Sequence, residues 1–187
     1  SRTVPSNSDV DILMNALGGD PVLAPTGSVK DYYNEVSYGQ LNLDSTVSIW
    51  INLPETEAYY ANNNSGLTSK THEALRYALD VLNADITFNF DDFDVDNDGY
   101  IDAITFLHSG YGAEWGGAGY QNRIWSHKWS LGSWISSEGV RVTSYNISPA
   151  LWGTSGSNIG RIGVICHELG HFLGLPDLYD TAGSGEG

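Results

Sequence analysis

Residues 157–177 read SNIGRIGVICHELGHFLGLPD, and the fold turns on whether this stretch is one helix with chemistry on its face. Its pattern predicts a helix from about Ser157 to Leu173, following a Gly/Ser loop. Gly174 can adopt positive φ to end the helix, and Pro176 cannot continue it. His167 and His171 lie four apart, so with about 3.6 residues per turn both imidazoles project from nearly one face and can share a metal ion. Glu168 points to the side, within reach of water at that metal. The turn after Gly174 returns Asp177 as the third ligand. Asp180 is the nearest rival, while Glu186, in a Gly-rich tail, is a poor one.

Two imidazoles and a carboxylate suit zinc, which in catalytic sites takes three protein ligands and keeps one position open. The metal lowers the pKa of water from about 15.7 towards about 7, and a neighbouring carboxylate takes the proton as water attacks a carbonyl. A carboxylate third ligand leaves the site less positive than a histidine would, so the water is less acidified. Cys166 is turned about 100° along the helix from His167, which predicts core packing for it.

Outward from this helix, Ser28 caps a helix patterned by Val29, Tyr32, Tyr33 and Val36, with Asp31 in its first turn and Gly39 at its exit. Thr68 or Ser69 caps another, with Leu75, Leu79 and Leu82 on one face. Strands are expected over residues 45–53 (STVSIWINL), 86–90, 101–107 and 141–147. Residues 109–138 show no usable period, and residues 1–27, rich in turn formers, read as an irregular arm. Helices alternating unevenly with strands give an α/β (α+β) domain in which helices pack on a mixed sheet.

Residues 94–102, DVDNDGYID, form a second cluster. Asp94, Asp96 and Asp98 alternate, Gly99 permits a tight turn, and the Tyr100 carbonyl and Asp102 fill the next positions, as in the first part of an EF-hand loop. The twelfth position is Thr105 rather than Glu, so the loop is not a complete EF-hand. Oxygen donors alone predict a structural Ca²⁺. His108 and His127 read as core or cleft-wall residues and His72 as a surface residue, while Asn63 and Asn146 head glycosylation sequons.

The 187 residues carry 8 Lys+Arg against 23 Asp+Glu, a net charge of −15, which repels phosphate backbones and anionic lipid and argues against nucleic-acid or membrane-surface roles. Hydrophobic residues at 41% suffice for a core. Only 17% of residues are charged, so the surface is finished with Ser, Thr, Asn, Gly and Tyr, in the manner of an exported protein. Cys166 is the one cysteine and says nothing about redox compartment. No apolar run is long enough to span a bilayer.

The segments HELGHFLGLPDLYD, SVKDYYNEVSYGQL, DVDNDGYID and HSGYG…IWSHKW resemble the immune inhibitor A-type metallopeptidases, secreted zinc endopeptidases related to the metzincins, over about residues 28–180. The resemblance implies a metzincin-like zinc-peptidase domain over residues 28–187, with a twisted mixed sheet packed on the active-site helix. It also implies a structural calcium, proteolytic processing, and extracellular protein or peptide substrates. Zinc ligation passes to His167, His171 and Asp177, and the general base and acid role to Glu168. Such proteins close the floor of the zinc site with a downstream methionine turn, whereas the single methionine here is Met14, and their first strand would precede the arm. The expectation is a catalytic domain incomplete at both ends, with the remaining segments of that domain as its partners. The competing function is a calcium-stabilised binding or adhesion module whose zinc site is non-catalytic; a further one is a zinc amidase or toxin with one dedicated target.

Overall fold

The computed structural model describes residues 2–177. Three strands form its sheet: β1 (Thr105–His108), β2 (His127–Ile135) and β3 (Arg141–Pro149), in the order β1-β3-β2. β1 runs parallel to β3 and β2 antiparallel to it, so the sheet is mixed as expected. One face packs on a long helix, α4 (Ser69–Asn83), whose Leu75, Leu79 and Leu82 join Leu131, Trp134, Val142, Tyr145 and Ile147 in the first core. The other face packs on α5 (Ile162–Gly170), whose Ile162, Ile165, Cys166 and Leu169 form a second core with α1 (Asn7–Asn15) and α2 (Val29–Val36). Short α3 (Glu57–Ala61) leads into α4.

The capping reading of α2 holds: the Ser28 hydroxyl accepts from the Asp31 amide, and Asp31 reaches back to the Ser28 amide. Thr68 caps α4. The irregular-arm reading of residues 1–27 is corrected by α1, which carries the same capping box between Ser6 and Asp9 and buries Val10, Leu13 and Met14. Residues 45–53 are not a strand: among the described residues no backbone–backbone hydrogen bond involves residues 46–53. Side chains of α1 hold the stretch instead, through Asn15 to the Ser45 backbone and Asn7 to the Ser48 carbonyl, and the stretch's own Trp50 indole donates to the Pro5 carbonyl. The strand expected over 86–90 is a turn followed by a single 3₁₀ turn, Phe90–Phe93. The strand expected over 101–107 is confined to Thr105–His108, and α5 begins at Ile162 rather than near Ser157.

Two contacts fix α5. The Tyr33 hydroxyl donates to the Cys166 carbonyl at 2.6 Å, and Arg161, at the helix N-terminus, donates to the Val22 and Leu23 carbonyls at 3.0 and 3.2 Å. Cys166 is buried as expected, and burial pushes its thiol up to about 12. Asn146 is fully buried on the central strand, so its sequon is closed to glycosylation; Asn63 is exposed. Among the described residues no helix is long and apolar enough to cross a membrane.

Candidate metal centre

α5 ends in a 3₁₀ turn, His171–Leu173, and Gly174 at φ +78° reverses the chain. That left-handed position suits a residue without Cβ, and it carries the chain on to Asp177. The two imidazole rings of His167 and His171 lie edge to face, 4.9 Å between centroids. One Asp177 carboxylate oxygen, Oδ1, lies 3.2 Å from His167 Nε2 and 3.4 Å from His171 Nε2. A tetrahedral ion with ligand bonds of about 2.0–2.1 Å separates its ligand atoms by about 3.3 Å, so these spacings fit a first-row divalent ion.

The His171 ring is oriented by the turn that it begins. Its Nδ1 lies 2.7 Å from the Leu175 carbonyl, an acceptor only, so Nδ1 carries the proton and Nε2 keeps its lone pair for a metal. The Leu175 amide in turn donates to the Gly170 carbonyl at 3.1 Å. Glu168 is buried, with Oε1 3.9 Å from His167 Nε2. Burial pushes its carboxyl up to about 7; His171 opposes that shift, Asp177 and Glu114 add to it, and a backbone contact with Lys128 opposes it. In the metal-free protein Glu168 is therefore a carboxyl that exchanges a proton near neutrality. Asp180 and Glu186 lie outside the described residues.

The acidic loop is also assembled. Asp94, Asp96 and Asp98 each offer a carboxylate oxygen, all within 4.8 Å of one another. The same carboxylates accept the loop's own amides: Asp98 and Gly99 donate to Asp94, Asp98 also to Asp96, and Tyr100 to Asp98. Asn97 and Gly99 both have positive φ, and the Asp102 amide closes the loop on the Phe93 carbonyl at 2.8 Å. The Asp102 side chain accepts from the Val95 amide at 3.4 Å.

His108 and His127 are both half-buried; His127 has both ring nitrogens partnered, whereas His108 Nε2 has no partner among the described residues. The Gly110 amide donates to His108 Nδ1 at 3.2 Å, and burial pushes the ring down to about 3, with Arg2 and His127 adding to that. His127 Nδ1 lies 2.7 Å from the Trp125 carbonyl and Nε2 2.8 Å from the buried Tyr145 hydroxyl. His72 is half-buried, edge-on to Tyr145, rather than a surface residue. Two groups that bear on the site were not visible in the pattern of the sequence. One is the Leu175 carbonyl. The other is Glu114, whose carboxylate faces Glu168 closely enough to raise it and is held by the Ser126 hydroxyl at 2.6 Å and amide at 3.3 Å.

Comparison with known proteins identifies the family of the chain. The family model described as immune inhibitor A peptidase M6, catalytic domain, matches residues 21–187. The chain is 32% identical to Immune inhibitor A of Bacillus thuringiensis subsp. alesti, over 91% of this chain and 28% of that protein. It is 31% identical to Pre-pro-metalloprotease PrtV of Vibrio cholerae serotype O1 (strain M66-2), over 86% of this chain and 20% of that protein. The chain therefore spans less than a third of the length of either relative.

Proposed function

From the premise that this chain belongs to the immune inhibitor A peptidase family M6, as its catalytic domain, we propose that it is a secreted zinc-dependent endopeptidase. The observation that carries the reading is the convergence of His167 Nε2, His171 Nε2 and Asp177 Oδ1 at the edge lengths of a tetrahedral site. These three residues would hold the zinc. The bound zinc supplies Lewis acidity, acidifying water and polarising the scissile carbonyl. Glu168 accepts the proton of the attacking water and passes it to the leaving amine nitrogen. Its burial beside the ligand cluster keeps it close to both positions and places its proton affinity between those of a free carboxylate and an amine.

Export is supported by the precursor named in PrtV, a pre-pro-metalloprotease, and by the low charge density of the surface. Asp94, Asp96 and Asp98, with the Tyr100 carbonyl and Asp102, would hold a structural Ca²⁺. The residues described form one unit of a larger catalytic domain. An apolar groove of about 950 Å³ runs between the unpaired stretch 45–53 and β1, lined by Ile49, Ile51, Ala103, Ile104, Phe106 and Leu107. At one end Glu57 Oε1 and His108 Nε2 are buried without a hydrogen-bond partner among the described residues. The unpaired edge of β1 beside an apolar slot suits one further β-strand, and we assign it to a segment of the same polypeptide outside the described residues.

Casein hydrolysis by the purified chain, extended to include that strand, tests the activity. It should require zinc, stop with 1,10-phenanthroline, and be absent from Glu168→Ala. Hydrolysis that survives both treatments would remove the reading, and zinc binding without any cleavage would favour the binding module instead.

A further inference from the structure

The centre of the sheet carries polar side chains where apolar ones would pack. Asn146 and Ser148 stand two residues apart on β3, the strand flanked on both sides, and both are fully shielded from solvent. Successive residues of a strand face opposite sides of the sheet. Tyr145 and Ile147 enter the α4 core, so Asn146 and Ser148 face the other way. The register identifies that side. Leu107 pairs with Ser148 and packs into the core of α1, α2 and α5. Lys128 pairs with Asn146 and lays its ammonium 5.4 Å from the ring centre of Phe172, just after α5. Both polar side chains therefore point into the seam between the sheet and the helix that carries Glu168.

Asn146 Nδ2, Asn146 Oδ1 and Ser148 Oγ have no hydrogen-bond partner among the described residues. Each such group, if unmet, gives up its hydrogen bonds to water without replacement and so costs stability. Buried polar groups that the protein does not satisfy are met by ordered water, which needs two to four polar partners. The seam supplies more of them. In the β2–β3 register Ser126, one residue before β2, falls opposite Ser148, and it is the residue that holds Glu114. Gly112 leaves room for that carboxylate, since a Cβ there would lie 2.4 Å from it. At the other end, the backbone of Lys128 meets the Glu168 carboxylate.

We propose that Asn146 and Ser148 hold ordered water in this seam, and that through it Asn146 acts as a positioning residue, setting α5, and with it Glu168, against the sheet. The water site follows from the orphaned groups alone; its effect on catalysis rests on the peptidase reading above.

A high-resolution crystal structure of the full chain tests the site without any activity. Water within hydrogen-bond distance of Asn146 and Ser148 Oγ is expected, and a dry seam would overturn the proposal. Asn146→Leu, which keeps the volume and removes both orphaned atoms, tests the positioning. With fold and zinc content retained, its kcat should fall about tenfold or more while KM changes little. Asn146→Ser, which leaves a hydroxyl and space for water, should recover part of the loss. A folded, zinc-loaded Asn146→Leu with unchanged kcat would overturn the positioning role, as would equal losses in Asn146→Leu and Asn146→Ser. Should Asn146→Leu not fold, Ser148→Ala takes its place, read by the same kcat loss and by loss of the water from its crystal structure. An inactive wild-type protein, extended to include the further strand and with water in the seam, would instead remove the peptidase reading and leave the water site standing.

Discussion

The His167–His171–Asp177 centre and the Asp94–Asp96–Asp98 loop both read as metal sites, yet they are built in opposite ways. The first is a helix end and the turn after it, whose donor atoms converge, with the His171 Nε2 lone pair turned to them because its other nitrogen is committed to Leu175. The second is an exposed loop whose carboxylates already accept four of their own backbone amide bonds. A donor set that converges from a helix and its turn is suited to chemistry on a held ion, whereas one that closes on its own backbone amides is suited to stability. The difference predicts that the first region carries activity and the second carries only folding free energy.

The largest test is Glu168→Gln against Asp96→Asn. Glu168→Gln should lower kcat by about 10²–10⁴ while zinc content stays at one per chain, because it removes a proton acceptor and no ligand. Asp96→Asn should leave kcat in saturating calcium within about twofold, because a surface substitution away from the site changes little. Peptide-hydrolysis kinetics with zinc analysis of the same samples would break the comparison if both variants lost activity alike.

Acid acts on the scaffold shared by the two regions, since β1 leaves the acidic loop and ends at His108. A base whose folded pKa is depressed adds stability above its unfolded value, and that stability is lost as the pH falls below it. His108, at about 3 when folded against an ordinary value of 6.5, should cost about 3 kcal/mol at pH 4.5, and His127, also lowered by burial, adds to this. Glu168 titrates with the opposite sign, because its carboxyl is raised to about 7. Denaturant unfolding of the Glu168→Gln variant removes that opposition, and stability there should fall steadily from pH 6.5 to 4.5. A flat profile would mean that His108 is not buried and neutral.

Calcium separates the regions by about the same energy. At a hundredfold excess over its dissociation constant it should stabilise the chain by about 2.7 kcal/mol, or about 5–10 °C in Tm. The shift should disappear in Asp94→Ala, with zinc affinity unchanged. Thermal unfolding with and without EGTA in the zinc-loaded protein measures it.

How much of this was legible in the sequence depended on how local each signal is. The helix ends were readable where Ser28 and Thr68 capped an apolar pattern. α1 has the same signature at Ser6, Asp9, Val10, Leu13 and Met14, but Pro5 before it and Gly18, Gly19 and Pro21 after it drew the reading towards turns. β2 escaped because a register shift between Ser130 and Trp134, with Gly132 at φ +82°, breaks the alternation that identifies a strand. Residues 45–53 were read correctly as alternating, but a ladder also needs a neighbour, and no local pattern contains one. At the centre, the spacing from His167 to Asp177 was legible because one helix and one turn produce it. The Leu175 carbonyl and the Glu114–Ser126 contact were not, since they depend on where a turn or a second strand lands.

The smallest test uses one substitution in both regions. Gly174 at φ +78° and Gly99 at φ +84° each sit in the left-handed region, and an added Cβ would meet nothing within 4 Å at either. Alanine at either position therefore costs conformational energy alone, about 1 kcal/mol, without a clash to confuse the outcome. In Gly174→Ala that strain falls on the turn delivering Asp177, so zinc affinity should drop about fivefold, the equivalent of about 1 kcal/mol. In Gly99→Ala it falls on the carboxylate loop, so the calcium midpoint should rise by a similar factor while zinc titrations overlay those of the wild type. Because the intrinsic penalty is the same, any difference between the two readouts reports which ion each loop serves. Zinc affinities that fell equally in both variants would mean that the acidic loop and the histidine centre are one coupled site rather than two.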